Sequence, residues 1–132
     1  MIVVIDTNVY ISALQFSQKR GIPIQAVAKA IKTDVIVTCD EIEAEIARIL
    51  VEKFQWSNGL VHEALAYIGG RAIRVRIHGK ISVCRDPDDN KFLECAERAG
   101  ADLIVTGDKD LLAIGVHGCT RIVTPAEYLK LA

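Results

Sequence analysis

Short runs of β-branched and other apolar residues alternate along the chain with stretches of helical periodicity. Four of these runs have the length of a β-strand: Ile2–Ile5, Val35–Thr38, 102–106 and 121–123. The first run is apolar throughout, which is typical of a strand that is covered on both faces. Strands separated by helices are joined by right-handed crossovers into a mainly parallel sheet. The sequence therefore predicts an α/β fold with helices on both faces of the sheet.

Helical periodicity fills the intervals between these strands. Pro23 suits the first turn of one helix, Asp40 suits the cap of another, and Gly100 suits the end of a third. The predicted helices cover residues 9–16, 23–33, 41–54, 60–68, 86–99, 108–114 and 125–131, with a loop over 15–21.

The segment 71–85 has a different pattern. Ile73, Val75 and Ile77 alternate with polar residues, which is the period of a β-strand. His78 and Gly79 are suited to a tight turn. We therefore predict a strand or hairpin here, and a sheet of about five strands in all.

Size and composition restrict the class of protein. A chain of 132 residues, of which 51% are hydrophobic and 25% charged, fits one folded domain over 1–132. Its apolar runs are far shorter than the ~20 residues that cross a bilayer, and no secretory signal precedes Asp6. We therefore expect a cytoplasmic protein. The four cysteines lack metal-site spacing and are interpreted as reduced thiols.

Acidic residues follow two of the predicted strands. Asp6 comes directly after the first strand, and Asp108 follows the strand over 102–106. Ligands of parallel sheets bind beyond the carboxyl ends of the strands, so both acids are expected at one edge if these strands are neighbours. Two charges ~4 Å apart repel by about 4 kcal/mol at a dielectric of ~20, so a cluster of acids requires protons or a cation. Oxygen ligands alone favour Mg²⁺ or Mn²⁺ and phosphodiester chemistry.

Spacing leaves the other acids of this cluster undecided. Glu43 and Glu45 flank the apolar stripe of their helix about equally, and Asp88 and Asp89 are similarly placed on theirs. Asp86, which precedes a proline, is best interpreted as a helix cap.

Five segments of the chain, in order, resemble the motifs of the PIN-domain family, metal-dependent nucleases that include the VapC-type toxins. These are IDTNV at 5–9, Thr38 with EIARIL at 45–50, RDPDDNKFLECA at 85–96, LIVTGDKDLL at 103–112 and TPAEYL at 124–129. The resemblance covers essentially the whole chain. It implies a single PIN domain with a three-layer α/β/α fold.

The resemblance also implies roles for individual residues. It selects Glu45 over Glu43 and Asp89 over Asp88. The four acids that it places in the catalytic, metal-binding set are Asp6, Glu45, Asp89 and Asp108. Asp110 falls at a further acid that varies within the family, and it is an additional candidate ligand. Thr7, Asn8 and Thr106 fall where the family has polar side chains that support the site. The implied cofactor is Mg²⁺ or Mn²⁺.

The implied activity is hydrolysis of RNA by a metal-activated water, without a covalent nucleophile from the protein. The leading hypothesis is a toxin that is held inactive by a cognate antitoxin and forms a homodimer. One alternative is a PIN nuclease for RNA processing or turnover, without an antitoxin. The other is a non-catalytic RNA- or protein-binding module. Four acids argue against this last alternative, because a binding module has no need of mutually repelling carboxylates.

A net charge of −1 gives no overall attraction to RNA, so contacts must be local. No acidic residue lies between Glu63 and Asp86, an interval with five basic residues. One interpretation is a charged edge strand that discourages association between sheets. The other is a strip that contacts RNA phosphates and leads to the acids, through Arg74, Arg76 and Arg85.

Overall fold

The computed structural model describes residues 1–15 and 21–131. Within them the strands are β1 (Ile2–Ile5), β2 (Val35–Thr38), β3 (Ala72–Arg74), β4 (Leu103–Val105), β5 (Val116–His117) and β6 (Thr120–Val123). The helices are α1 (Thr7–Gln15), α2 (Ile22–Thr33), α3 (Asp40–Phe54), α4 (Asn58–Gly69), α5 (Asn90–Ala99), α6 (Lys109–Ile114) and α7 (Pro125–Lys130), and a 3-10 turn (Pro87–Asp89) leads into α5. Most of the loop predicted over 15–21 lies outside the described residues.

The strands form one sheet in the order β3-β2-β1-β4-β6-β5. Every neighbouring pair is parallel except β5 with β6, which form a short antiparallel hairpin. The predicted α/β fold with a mainly parallel sheet is confirmed. The described part of the chain has six strands rather than about five, because β5 has only two residues and shows no recognisable period.

The central strands are covered on both faces. Val3, Val4 and Ile5 are each at most 1% exposed, although successive residues of a strand point to opposite faces. Helix α5 packs on β1, β2 and β4. Burial of both faces explains why these strands are continuous apolar runs rather than alternating ones.

Helix boundaries follow local capping chemistry. Gly100 ends α5 with a φ of 63°, as predicted, and Thr124 with Glu127 forms a capping box at the start of α7. The prediction that Asp40 caps α3 is wrong, because the helix begins at Asp40 itself and Cys39 is the capping residue. The carboxylate of Asp40 lies 3.2 Å from Nε of Arg74 instead.

The segment 71–85, for which the sequence predicted a strand or a hairpin, forms the strand and not the hairpin. Only β3 is a strand, and it pairs in parallel with β2. The backbone beyond it bonds to side chains of α5: Glu94 accepts the N–H groups of His78 and Lys80, and Asn90 accepts those of Val83 and Cys84. These carboxylate and amide oxygens satisfy N–H groups that a second strand would otherwise have to pair. No helix in the described ranges is both long and apolar enough to cross a membrane.

Candidate active site

The strand order reverses between β1 and β4, which is where parallel sheets place their ligand sites. The two strands pair through Ile5 and Val105, so the residues that follow them are adjacent. The N–H of Asp6 donates to the carbonyl of Val105 at 2.9 Å, extending this pairing by one residue. Strands β1 and β4 are therefore neighbours, as the sequence interpretation required. Their pairing brings Asp6 next to the turn that carries Asp108.

Asp6 is a buried carboxylate held by specific donors. Its side chain accepts the hydroxyl of Thr106 at 2.6 Å and the backbone N–H of Asn8 at 3.3 Å. Burial raises the pKa of Asp6, and the charges of Asp108 and Glu45 raise it further against the lowering effect of these two hydrogen bonds. Three of the predicted acids therefore act on one another electrostatically.

Asp108 and Asp89 interact with each other and with Asp6. The Asp108 N–H donates to the Thr106 hydroxyl at 2.9 Å, and its carboxylate caps α6 by accepting the N–H of Asp110 at 2.9 Å. Burial raises the pKa of Asp89 to about 7, with further contributions from a hydrogen bond to Asp108 and from the charges of Asp108, Asp86 and Asp6. Asp89 therefore belongs to the cluster.

The two glutamates that spacing could not separate have different partners. Glu43 is 8% exposed and forms a bidentate pair with Arg74, at 2.8 and 2.9 Å. Glu45 accepts the ammonium group of Lys91 at 3.0 Å and is close enough to Asp6 to raise its pKa. Glu45 is therefore the glutamate of α3 that faces the cluster.

The three aspartates around Pro87 are also distinct. Asp86 accepts the N–H of Asp88 at 3.0 Å and caps the 3-10 turn, as the sequence interpretation favours. Asp88 is exposed, whereas Asp89 is partly buried against Asp108.

The remaining predicted residues differ in their surroundings. Thr7 is buried, and its hydroxyl finds no hydrogen-bond partner in the described part of the chain. Asp110, Arg76 and Arg85 are exposed. The guanidinium of Arg74 is held by Glu43, which limits what it can offer to RNA.

A cleft of about 690 Å³ opens beside the cluster, between α3 and the segment 77–90. Its walls include Glu45 and Arg48 of α3, Lys91 of α5, and Ile77 and Ile81 of the segment. Sequence reasoning did not identify Lys91, or the way Asn90 and Glu94 anchor this segment. The spacing of four between these two polar residues of α5 was the available signal, since it places them on one face of the helix.

The donor set suits a hard divalent cation. Its members are carboxylates without histidine or thiolate, and burial, with repulsion between neighbouring acids, raises the pKa of Asp6 and of Asp89. In the stretches that the structure describes, no three acidic, histidine or cysteine side chains are close enough together to enclose an ion. The acids therefore fit a cation by chemistry and charge, and enclosing one requires them to draw closer.

Known proteins resemble the chain in sequence and in fold. A family model described as PIN domain matches residues 2–110. An uncharacterized protein of Methanocaldococcus jannaschii is 30% identical over 143 residues, covering 97% of this chain and 89% of that protein. A chain in the crystal structure of VapBC2 from Rickettsia felis, bound to a DNA fragment from their promoter, has a TM-score of 0.64 at 13% identity, covering 94% of this chain and 98% of its own length. The last match shows a shared fold, and the family model, spanning all four acids, shows that the chain belongs to the PIN-domain family.

Proposed function

We propose that this protein is a divalent-metal-dependent endoribonuclease and the toxin of a toxin-antitoxin pair. PIN domains are generally nucleases and generally use divalent metal ions. The observation that carries the proposal is the convergence of Asp6, Glu45, Asp89 and Asp108 at the point where strand order reverses. A degenerate binding module would gain nothing from keeping four acids that repel one another.

The residues divide the work of such a site. Asp6, Glu45, Asp89 and Asp108 would hold Mg²⁺ or Mn²⁺, and the ion would activate water and offset charge on the phosphodiester. Thr106 fixes Asp6 through its hydroxyl and the Asp108 turn through the N–H that it accepts. In the metal-free protein the carboxyl group of Asp89, with its pKa raised to about 7, binds a proton that a bound cation would displace. The backbone N–H of Asp110 donates to the carboxylate of Asp108 and so helps to orient it. A direct role of Asp110 as a metal ligand stays a prediction.

RNA would approach along the cleft beside Glu45. Arg76 and Arg85 are exposed on the segment that borders it, and Arg48 lies on its opposite wall. These cations supply the local attraction that a net charge of −1 does not. The edge-protection interpretation can apply to Arg74, which lies on the edge strand β3. It is less favoured for Arg76 and Arg85, because within the segment 71–85 only Ala72–Arg74 is a strand.

The toxin role is supported by the fold shared with a chain of the VapBC2 complex. By analogy we propose a cognate antitoxin as partner, a homodimeric assembly and a cytoplasmic location.

Purified protein is expected to cleave RNA when Mg²⁺ or Mn²⁺ is present and to stop when EDTA removes it. Mapping of cut sites in total cellular RNA, with and without metal, measures this. A coexpressed product of a small neighbouring gene that suppresses cleavage would support the toxin role, and unsuppressed cleavage would favour RNA processing. Cleavage that persists in EDTA would contradict the metal site.

Divalent metal is expected to raise the melting temperature, by more above pH 7 than below it. The pKa of Asp89 is raised from 3.8 to about 7 in the folded state. Between these values the folded protein binds the additional proton, so the contribution of Asp89 to metal-free stability falls as pH rises. Metal replaces that proton and removes the repulsion, so its effect grows as pH rises through about 7.

Thermal melts in EDTA and in millimolar Mg²⁺, across this pH range, measure both trends. Asp108→Asn is the comparison variant: burial would still raise the pKa of Asp89, but the contribution of the Asp108 charge is lost, so both trends should become weaker. Identical melting temperatures with and without metal at every pH would count against the site.

A further inference from the structure

A largely buried ammonium group contacts one of the proposed metal ligands. Nζ of Lys91 lies 3.0 Å from Oε2 of Glu45 and also donates to the backbone carbonyl of Asp88. The side chain of Lys91 is 13% exposed and that of Glu45 is 19% exposed. The contact joins α3 to the first turn of α5, immediately beside the proposed metal site.

Helix stability does not explain a lysine at this position. Lys91 is the second residue of α5, where the helix dipole favours anions over cations. Burying a lysine side chain also costs solvation and rotamer freedom. The carboxylate of Glu45 and the carbonyl of Asp88 offset these costs, so the position of Lys91 is determined by what its ammonium group contacts.

Lys91 does not neutralise the rest of the cluster. Its ammonium group bonds to Oε2 of Glu45 and to the carbonyl of Asp88. Among the hydrogen bonds and ion pairs of the described residues, none joins it to the carboxylates of Asp6, Asp89 or Asp108. Lys91 therefore contacts Glu45 and leaves the negative charge of the other acids available to a cation.

We propose that Lys91 is a positioning residue that fixes Glu45 for metal binding, an inference that rests on the proposed function. The Asp88 carbonyl holds the ammonium group, and the ammonium group holds one oxygen of Glu45. Carboxylate ligands are commonly oriented by such hydrogen-bonded partners, whose removal lowers metal affinity by about 10–100-fold.

The test is Mn²⁺ binding by the full chain, with free Mn²⁺ measured by electron paramagnetic resonance. Lys91→Met keeps the apolar stem and removes the ammonium group, and we expect it to bind Mn²⁺ about 10–100-fold more weakly. Lys91→Arg should recover most of the affinity, because a guanidinium can donate to the same carboxylate. If Lys91→Met does not fold, Lys91→Gln replaces it: glutamine is shorter and lacks the ammonium group that contacts Glu45, so a similar weakening is expected.

Arg48→Met is the matched control. A guanidinium nitrogen of Arg48 lies 3.9 Å from the same oxygen of Glu45, but its side chain is 55% exposed. Exposed pairs of this kind contribute little, so we expect less than about a fivefold change in affinity. If the charge of Lys91 acted only by repelling the metal, Lys91→Met and Arg48→Met would both bind Mn²⁺ more tightly.

Unchanged or tighter Mn²⁺ binding by Lys91→Met overturns the positioning role, as does equal weakening in Arg48→Met. A lower melting temperature in EDTA with unchanged Mn²⁺ affinity also overturns it, because that result describes a structural ion pair. If the wild-type protein itself fails to bind Mn²⁺, the proposed function fails and the role of Lys91 fails with it. That outcome is recognised without any variant.

Discussion

Replacing Asp6 with asparagine is expected to abolish RNA cleavage, by at least about 10²–10³-fold, while the protein stays folded. The variant loses a carboxylate at the centre of the acidic cluster. Its amide oxygen can still accept the hydroxyl of Thr106 or the N–H of Asn8, which are the bonds that hold Asp6. Because burial and neighbouring acids raise the pKa of Asp6, removing its charge should leave the melting temperature in EDTA unchanged or higher.

Asp86→Asn is the matched control for this substitution. Asp86 is exposed and accepts the N–H of Asp88 in the capping turn, a role that asparagine fills about as well. Cleavage rates and thermal melts of the two variants should therefore separate, with Asp86→Asn keeping most of its activity. Equal loss of activity in both variants would show that Asp86 acts in the site and not only as a cap.

The sequence predicted the centre of this fold well because its strands are buried on both faces. Val3, Val4 and Ile5 are all apolar and buried, so the first strand has no polar face that could be exposed to solvent. The position of Asp6 at the edge of the sheet then followed from chain order and from the rule for parallel sheets. Adjacency of β1 and β4 was a condition of that prediction, and their pairing satisfies it.

The choice between Glu43 and Glu45 depends on contacts that spacing along α3 does not contain. Glu43 pairs with Arg74, 31 residues later, and Glu45 with Lys91, 46 residues later. Both glutamates border the same apolar stripe, so periodicity gives them equal weight. The resemblance to PIN domains favoured Glu45, and the structure supplies a physical distinction between the two.

The segment after β3 shows a related failure. Its alternating pattern predicted a strand or a hairpin. The strand ends at Arg74, and beyond it Glu94 and Asn90 of α5 supply the acceptors that a partner strand would have supplied. Ile77 is buried against the core, and His78 is exposed although its N–H donates to Glu94. Alternation of burial therefore does not establish strand pairing in a segment whose N–H groups bond to distant side chains.

Arg74→Ala is expected to lower the free energy of unfolding by about 1–3 kcal/mol, the cost of leaving a buried acceptor without its donor. Glu43 is 8% exposed, and both of its carboxylate oxygens accept from Arg74. Arg76→Ala, which truncates an exposed side chain two residues away, should change stability by less than about 0.5 kcal/mol. Urea denaturation measures both. Adding Glu43→Gln to Arg74→Ala should restore part of the stability, because it removes the unpaired buried charge.

For RNA binding we expect the opposite order: Arg76→Ala should have a larger effect than Arg74→Ala. A phosphate contact contributes about −0.7 to the log–log salt slope for a single strand, so Arg76→Ala should flatten the slope by about that amount. Arg74→Ala should leave the slope nearly unchanged, because Glu43 already holds the guanidinium. The double variant should then flatten the slope by about 0.7 and not by twice that amount. If Arg74→Ala instead flattened the slope without a loss of stability, Arg74 would release Glu43 to contact RNA, and the basic strip would extend along the edge of the sheet from Arg74 to Arg85.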